Sequence, residues 1–280
     1  MTNVDDDFQN MINSYEEEKA KAESKKSEQK PAQSDKIVKV KFEAENFAVN
    51  QYGKPKVNSL KNIRIAIEND NILKNQFVFN SFTQEIEIRT PFKLKGVEIE
   101  NDGLKEVYIT AILEHFEEKY DVLFDSRLLV NVINKIAYEN KYNPVQDFME
   151  DCYKNWDKVK RARSLFPDYL GAKESDLTER MTKLFFVGAV SKVYRPHDKF
   201  DFVLDLVGGQ GSGKTTFLTK MGQGWYTDSM KNFDDKDQLV MMLRALIVND
   251  DEMAISNKIP FADLKKFITQ TVLSFRAPYG

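Results

Sequence analysis

The chain has 280 residues, 41% of them hydrophobic and 30% charged, with a formal net charge of −3. That supplies apolar material for about two packed domains, and the near-neutral balance excludes nucleic-acid binding through bulk positive charge; any such surface has to be local. The single cysteine, Cys152, excludes an internal disulfide and fits a reducing compartment, and the chain has no run of about 18 apolar residues that could span a membrane.

Within residues 1–35, "SYEEEKAKAESKKSEQKPAQSD" is rich in Glu, Lys, Ser and Gln and nearly free of large apolar side chains. Such a segment cannot bury enough surface to offset its ordering entropy, so a disordered charged tail is expected. With no apolar leader core at its start, the protein is expected in the cytoplasm. From Lys36 the pattern changes. "KIVKVKF" alternates as a half-buried strand does. "VNSLKNIRIAIENDN" is expected to be a helix capped by Asn58 or Ser59, with Leu60, Ile63 and Ile67 on its inner face. Phe77 and Phe79, a polar turn, then Ile86 and Ile88 predict a hairpin.

Two helices are expected next. One carries Leu104, Val107, Ile112, Leu113 and Phe116. The other carries Leu128, Leu129, Val132, Ile133, Ile136 and Ala137 at sharper helical spacing. Residues 36–143 therefore read as a small α+β domain whose Phe and Ile stripe is core. Asn143-Pro144 marks a break. Residues 144–199 read as a helical region, with "PVQDFMEDCYKNWD" and "ESDLTERMTKLFFVGAVSKVY" as its helices. The basic run with Lys158, Lys160, Arg161 and Arg163 is expected to be a solvated helix face, with DNA phosphate contact as the alternative. His115 and His197 are expected at the surface, Cys152 half-buried and Trp225 in a core.

Residues 200–280 carry the most specific signal. Phe202 to Val207 is a mostly apolar run expected to be a strand buried in a parallel sheet. It runs into Gly208, Gly209, Gln210, Gly211, Ser212, Gly213, Lys214, Thr215 and Thr216, the spacing of a phosphate-binding loop. The glycines let backbone N–H groups turn inward toward phosphate oxygens. Lys214 reaches the β- and γ-phosphates of ATP, and the Thr215 hydroxyl suits Mg²⁺. A helix from Thr215 to Met221 would add its N-terminal field. Nucleotide hydrolysis also needs carboxylates on a second strand. Leu246 to Val248 is the expected strand. Asp250 or Asp251 is the expected magnesium-shell acid, and Glu252 the residue that polarises water.

Several stretches resemble the virulence-associated protein E-like proteins of phages and genomic islands, which are related to superfamily 3 helicases. They are "GKPKVNSLKNIRIAIEND", "YNPVQDFMEDC", "DYLGA", "KLFFVGAVSKVYRPHDKFDFVLDLVGGQGSGKTTFL", "GQGWYTDSM", "KDQLVMMLRALIVNDDE" and "FITQTVLSFRAPYG". The resemblance implies an α/β P-loop NTPase core of AAA+ type, an ATPase that assembles as a homo-oligomer and works on DNA in replication of a phage or mobile element. It matches Arg195 and Arg276 to family elements that touch nucleotide or DNA or shape turns. At the position of the family's first Walker B glutamate this chain has Asn249, which moves the metal role to Asp250 or Asp251; Glu252 matches the second. Relative to the family pattern, the core is expected to stop short of its last strands. A helicase-like chain that binds a replication complex without turnover is the alternative.

Overall fold

Ser59 begins the first helix of the computed structural model, which describes residues 46–270, all within one compact unit, Asn46–Gly280. The tail over 1–35, the strand over 37–42 and the Arg276 element lie outside the described residues. Helix α1 is Leu60–Glu68, and its N-cap Ser59 accepts a hydrogen bond from the Asn62 amide. Ile63 and Ile67 are fully buried, as expected, but Leu60 is 53% exposed. The buried face holds Asn62, Ile63, Ala66 and Ile67, and Leu60 stands about a quarter turn from its centre. Asn62 takes the inner position because its side chain bonds the backbone of Ala48 and Lys56, pinning the preceding loop.

The expected hairpin is present as β1 (Phe77–Asn80) and β2 (Glu85–Ile88), antiparallel, with Phe77 opposite Ile88 and Phe79 opposite Ile86. Asn80 shapes the turn by accepting from the amides of Phe82 and Thr83. A second hairpin, β3 (Phe92–Leu94) and β4 (Val97–Ile99), was not anticipated. Its two-residue turn is Lys95-Gly96, both at positive φ, the conformation that tight hairpins favour.

Helix α2 is Glu106–Tyr120 and α3 is Ser126–Glu139. In α3 the inner face is the expected one: Leu129, Val132, Ile133, Ile136 and Ala137 are buried. In α2 it is rotated. Tyr108 and Ile109 face in and Val107 is half exposed, because the Tyr108 hydroxyl is held by Asp102 at 2.9 Å. The helix α3 is the hub, packing against α1, α2 and the first hairpin. The Asn143-Pro144 break is a helix start: Asn143 caps α4 (Pro144–Lys154) with Pro in its first turn.

Helices α5 (Leu165–Leu170) and α6 (Asp176–Tyr194) follow, and α6 packs on both α4 and α5. The basic run between α4 and α5 is a loop, not a helix face. Arg161 is paired with Asp157 in the same loop and Arg163 with Glu174 beyond α5, so much of the local charge is neutralised by neighbouring carboxylates. Cys152 is exposed rather than half-buried.

The largest departure is at residues 202–207. They form no strand, and Phe202, Val203 and Val207 are 61%, 69% and 89% exposed. A buried parallel strand needs hydrogen-bonded neighbours, and none of the described strands pairs with this segment. Beyond it come α7 (Lys214–Met221), β5 (Tyr226–Thr227), α8 (Lys236–Leu243), β6 (Ile247–Val248) and α9 (Phe261–Thr269). Strands β5 and β6 are parallel, with Tyr226 opposite Ile247 and Thr227 opposite Val248.

Candidate functional site

Helix α7 is held from below by Phe217, which is 7% exposed and meets the rings of Phe166 and Tyr169 on α5 at 5.7 and 6.5 Å. Its other contacts are with β5 and β6. A small helix-and-strand unit thus carries the glycine-rich loop at one of its ends. Gly211 and Gly213 sit at φ +77° and +84°, a region where a side chain would strain the backbone. Gly213 is the N-cap of α7, and its carbonyl accepts from the Phe217 amide at 2.8 Å. No backbone carbonyl among the described residues accepts from the N–H groups of residues 209–216. Free N–H groups at a glycine turn and a helix start form a ready anion cradle.

Lys214 folds back into that turn. Its ammonium donates to the carbonyls of Gly208 and Gly209 at 2.9 and 3.0 Å and to Ser212 Oγ at 3.2 Å. Three donors and three acceptors place one positive charge in the middle of the loop. Gln210, Thr215 and Thr216 are exposed, with both hydroxyls in the first turn of α7.

The expected carboxylates stand at the exit of β6, but they do not share one environment. Asp250 is half-buried and accepts from the Ile255 and Ser256 amides, both at 2.9 Å, and from the Ser256 hydroxyl. Asp251 and Glu252 are exposed, and Glu252 adopts a left-handed backbone at φ 54°. Among the described residues, no group of three His, Cys, Asp or Glu side chains could by itself enclose a metal ion. A nucleotide-type magnesium site does not require one, because Mg²⁺ keeps waters and takes one or two protein oxygens plus phosphates. A threonine hydroxyl and an exposed aspartate are donors of that kind.

Residues absent from the expected set also converge here. The Tyr226 hydroxyl accepts from Asn249 Nδ2 at 3.1 Å and donates to Asp228 Oδ2 at 3.3 Å. Burial pushes the Tyr226 phenol above its ordinary range, with Asn249 pulling the other way, so it is a neutral hydroxyl near pH 7. The sequence carried one signal for this: a Tyr-Thr-Asp run just after the loop's helix, whose first two residues form β5. Arg195 is a turn residue, its Nε 3.1 Å from Asp198. Trp225 is half-buried rather than in a core.

The described part is a mixed α/β chain built mostly of helices. Residues 149–280 match the model of the virulence-associated protein E-like domain. That stretch, just under half of the chain, includes the glycine-rich loop, α7 and the acidic turn, and it is similar to that domain. No curated protein matches the chain. No helix among the described residues is long and apolar enough to cross a membrane.

Proposed function

We propose that the chain is a P-loop nucleotide-binding protein that takes ATP with Mg²⁺ at residues 208–216 and hydrolyses it, as part of the DNA replication machinery of a phage or mobile genetic element. The observation that carries this reading is the set of unclaimed N–H groups over 209–216, opening into the first turn of α7 around the Lys214 ammonium. An entering triphosphate finds N–H donors for its oxygens, a lysine that exchanges its carbonyl partners for phosphate, and the Thr215 hydroxyl for magnesium. When bound, magnesium neutralises developing charge on the phosphates. Asp250 or Asp251 at the exit of β6 would direct its water shell, and Glu252 would polarise the attacking water. The likeness to the virulence-associated protein E-like domain supports the mobile-element setting and, through it, an ATPase of superfamily 3 helicase type that acts on DNA as a homo-oligomer in the cytoplasm. Lys214→Ala should weaken binding of labelled ATP by about a hundredfold, a loss in the range of a removed charge-assisted contact; unchanged affinity sinks the site.

A second reading is favoured by the exposed apolar side chains of Phe202, Val203 and Val207. An extended segment of this kind is a surface for association. In this reading the chain binds nucleotide and joins a replication assembly without turning over. Steady-state ATP hydrolysis by the purified chain separates the two: sustained turnover dependent on Lys214 supports the enzyme, and tight binding with no turnover supports the association protein.

A further inference from the structure

Asp250 points into its own loop. Its two oxygens accept from Ile255 and Ser256, closing the turn over 250–256 and seating Ile255, which is 4% exposed. Its neighbours on either side behave differently. The Asn249 backbone continues the ladder with β5 by donating to the Thr227 carbonyl at 2.8 Å. A side-chain amide nitrogen carries two hydrogens, and Asn249 Nδ2 has two acceptors: the Tyr226 hydroxyl at 3.1 Å and Asp251 Oδ1 at 3.4 Å. Tyr226 is itself fixed. It pairs across from Ile247, and the end of α7 backs onto it so closely that a Cβ on Gly222 would lie 2.7 Å from the Tyr226 Cβ. Its hydroxyl proton goes to Asp228. The polar order therefore runs from Asp228 through Tyr226 and Asn249 to Asp251.

We propose that Tyr226 and Asn249 are a positioning pair that sets the direction of the Asp251 carboxylate for magnesium, while Asp250 clasps the loop and takes no part in metal binding. This rests on the magnesium–nucleotide reading above. It divides roles that residue type alone leaves equivalent. Partners that orient a metal-directing group matter for metal affinity almost as much as the group itself.

The test uses the full chain, a fluorescent ATP analogue, and titrations in magnesium and in chelator. Asp251→Asn should cut the magnesium-dependent gain in affinity by about 10-fold, and Tyr226→Phe and Asn249→Ala by a smaller factor. Affinity in chelator should hold, and melting temperatures should stay within about 2 °C of wild type. Tyr226→Phe should add nothing in the Asp251→Asn background, since the two act on one contact. Asp250→Asn should do the reverse: a lower melting temperature and faster exchange of the Ile255 and Ser256 amides, with the magnesium gain retained. The proposal is overturned if Asp250→Asn loses the magnesium gain with its melting temperature intact, or if Tyr226→Phe and Asp251→Asn are fully additive. If the wild type binds no nucleotide, the phosphate-loop reading fails. The pair is then judged by the Asn249 side-chain amide resonances, which must shift in both Tyr226→Phe and Asp251→Asn for it to stand.

Discussion

Asp70 is 1% exposed and still carries a charge, because four donors surround it. The Ile72 and Leu73 amides reach one oxygen at 2.8 and 3.1 Å, and Lys119 Nζ and His115 Nε2 reach the other at 2.6 and 2.8 Å. Burial pushes this carboxyl up, but the Lys119 and His115 bonds and the two amides together hold it below the ordinary carboxylate range. A carboxyl depressed on folding contributes stability that is complete above its unfolded pKa of about 4 and lost as pH falls through the lower folded value. Urea denaturation should therefore show wild-type stability falling steeply below about pH 4, and Asp70→Asn should flatten that fall while costing about 2–3 kcal/mol at pH 7. An unchanged acid limb in the variant would place the linkage elsewhere. The cluster also explains why His115 is not the surface residue its sequence setting suggests. Its partner lies 45 positions away, and no local pattern encodes such a pairing.

At the scale of elements, legibility followed periodicity and capping. Helix α3 was readable because six apolar residues recur on one stripe, and α1 because Ser59 stands at its cap. The first hairpin was readable from alternation around a polar turn. Strands β3 and β4 were missed because each is three residues long, too short to establish a period. The segment over 202–207 is the opposite case, a strong apolar run with no described partner strand. Composition favours a strand there, but a strand exists only as part of a ladder. No backbone hydrogen bond among the described residues is donated by residues 202–207. Hydrogen exchange should show their amides exchanging about a thousandfold or more faster than those of Leu129 to Ile136 in α3, whose opening approaches global unfolding. Comparable protection would mean that a partner strand covers the segment in solution. The candidate site was legible to the same degree. The glycine-rich turn into a helix was, because its glycine spacing permits the positive φ seen at Gly211 and Gly213. The different hydrogen-bond settings of Asn249, Asp250 and Asp251 were not, because they depend on which way each side chain leaves β6.

At the scale of the molecule, Trp225 joins elements far apart in the chain. Its indole meets Phe82 in the β1–β2 turn at 6.3 Å and Phe148 on α4 at 5.9 Å, both edge-on, and Arg244, after α8, pairs with Glu85 on β2. These contacts connect the first hairpin to the helix-and-strand unit that carries the glycine-rich loop. Edge-to-face aromatic pairs contribute about 0.5–1.5 kcal/mol each beyond burial. The exposed Arg244–Glu85 pair adds little by comparison, so the aromatic contact is the mechanical link. If it holds, unfolding is one cooperative event. The chain has two tryptophans, and Trp156 lies 39% exposed in the basic loop, so Trp156→Phe leaves Trp225 as the sole indole reporter. In that background, Trp225 fluorescence and far-ultraviolet circular dichroism should melt together. Adding Phe82→Ala should shift the emission to the red, cost about 2–3 kcal/mol, and pull the fluorescence transition below the helical one. The helical signal is dominated by α2, α3 and α6, none of which contributes a ring to the Trp225 contacts with Phe82 and Phe148. Coincident transitions with unchanged emission after Phe82→Ala would show that the loop-bearing unit is held to the hairpin by contacts other than this aromatic cluster.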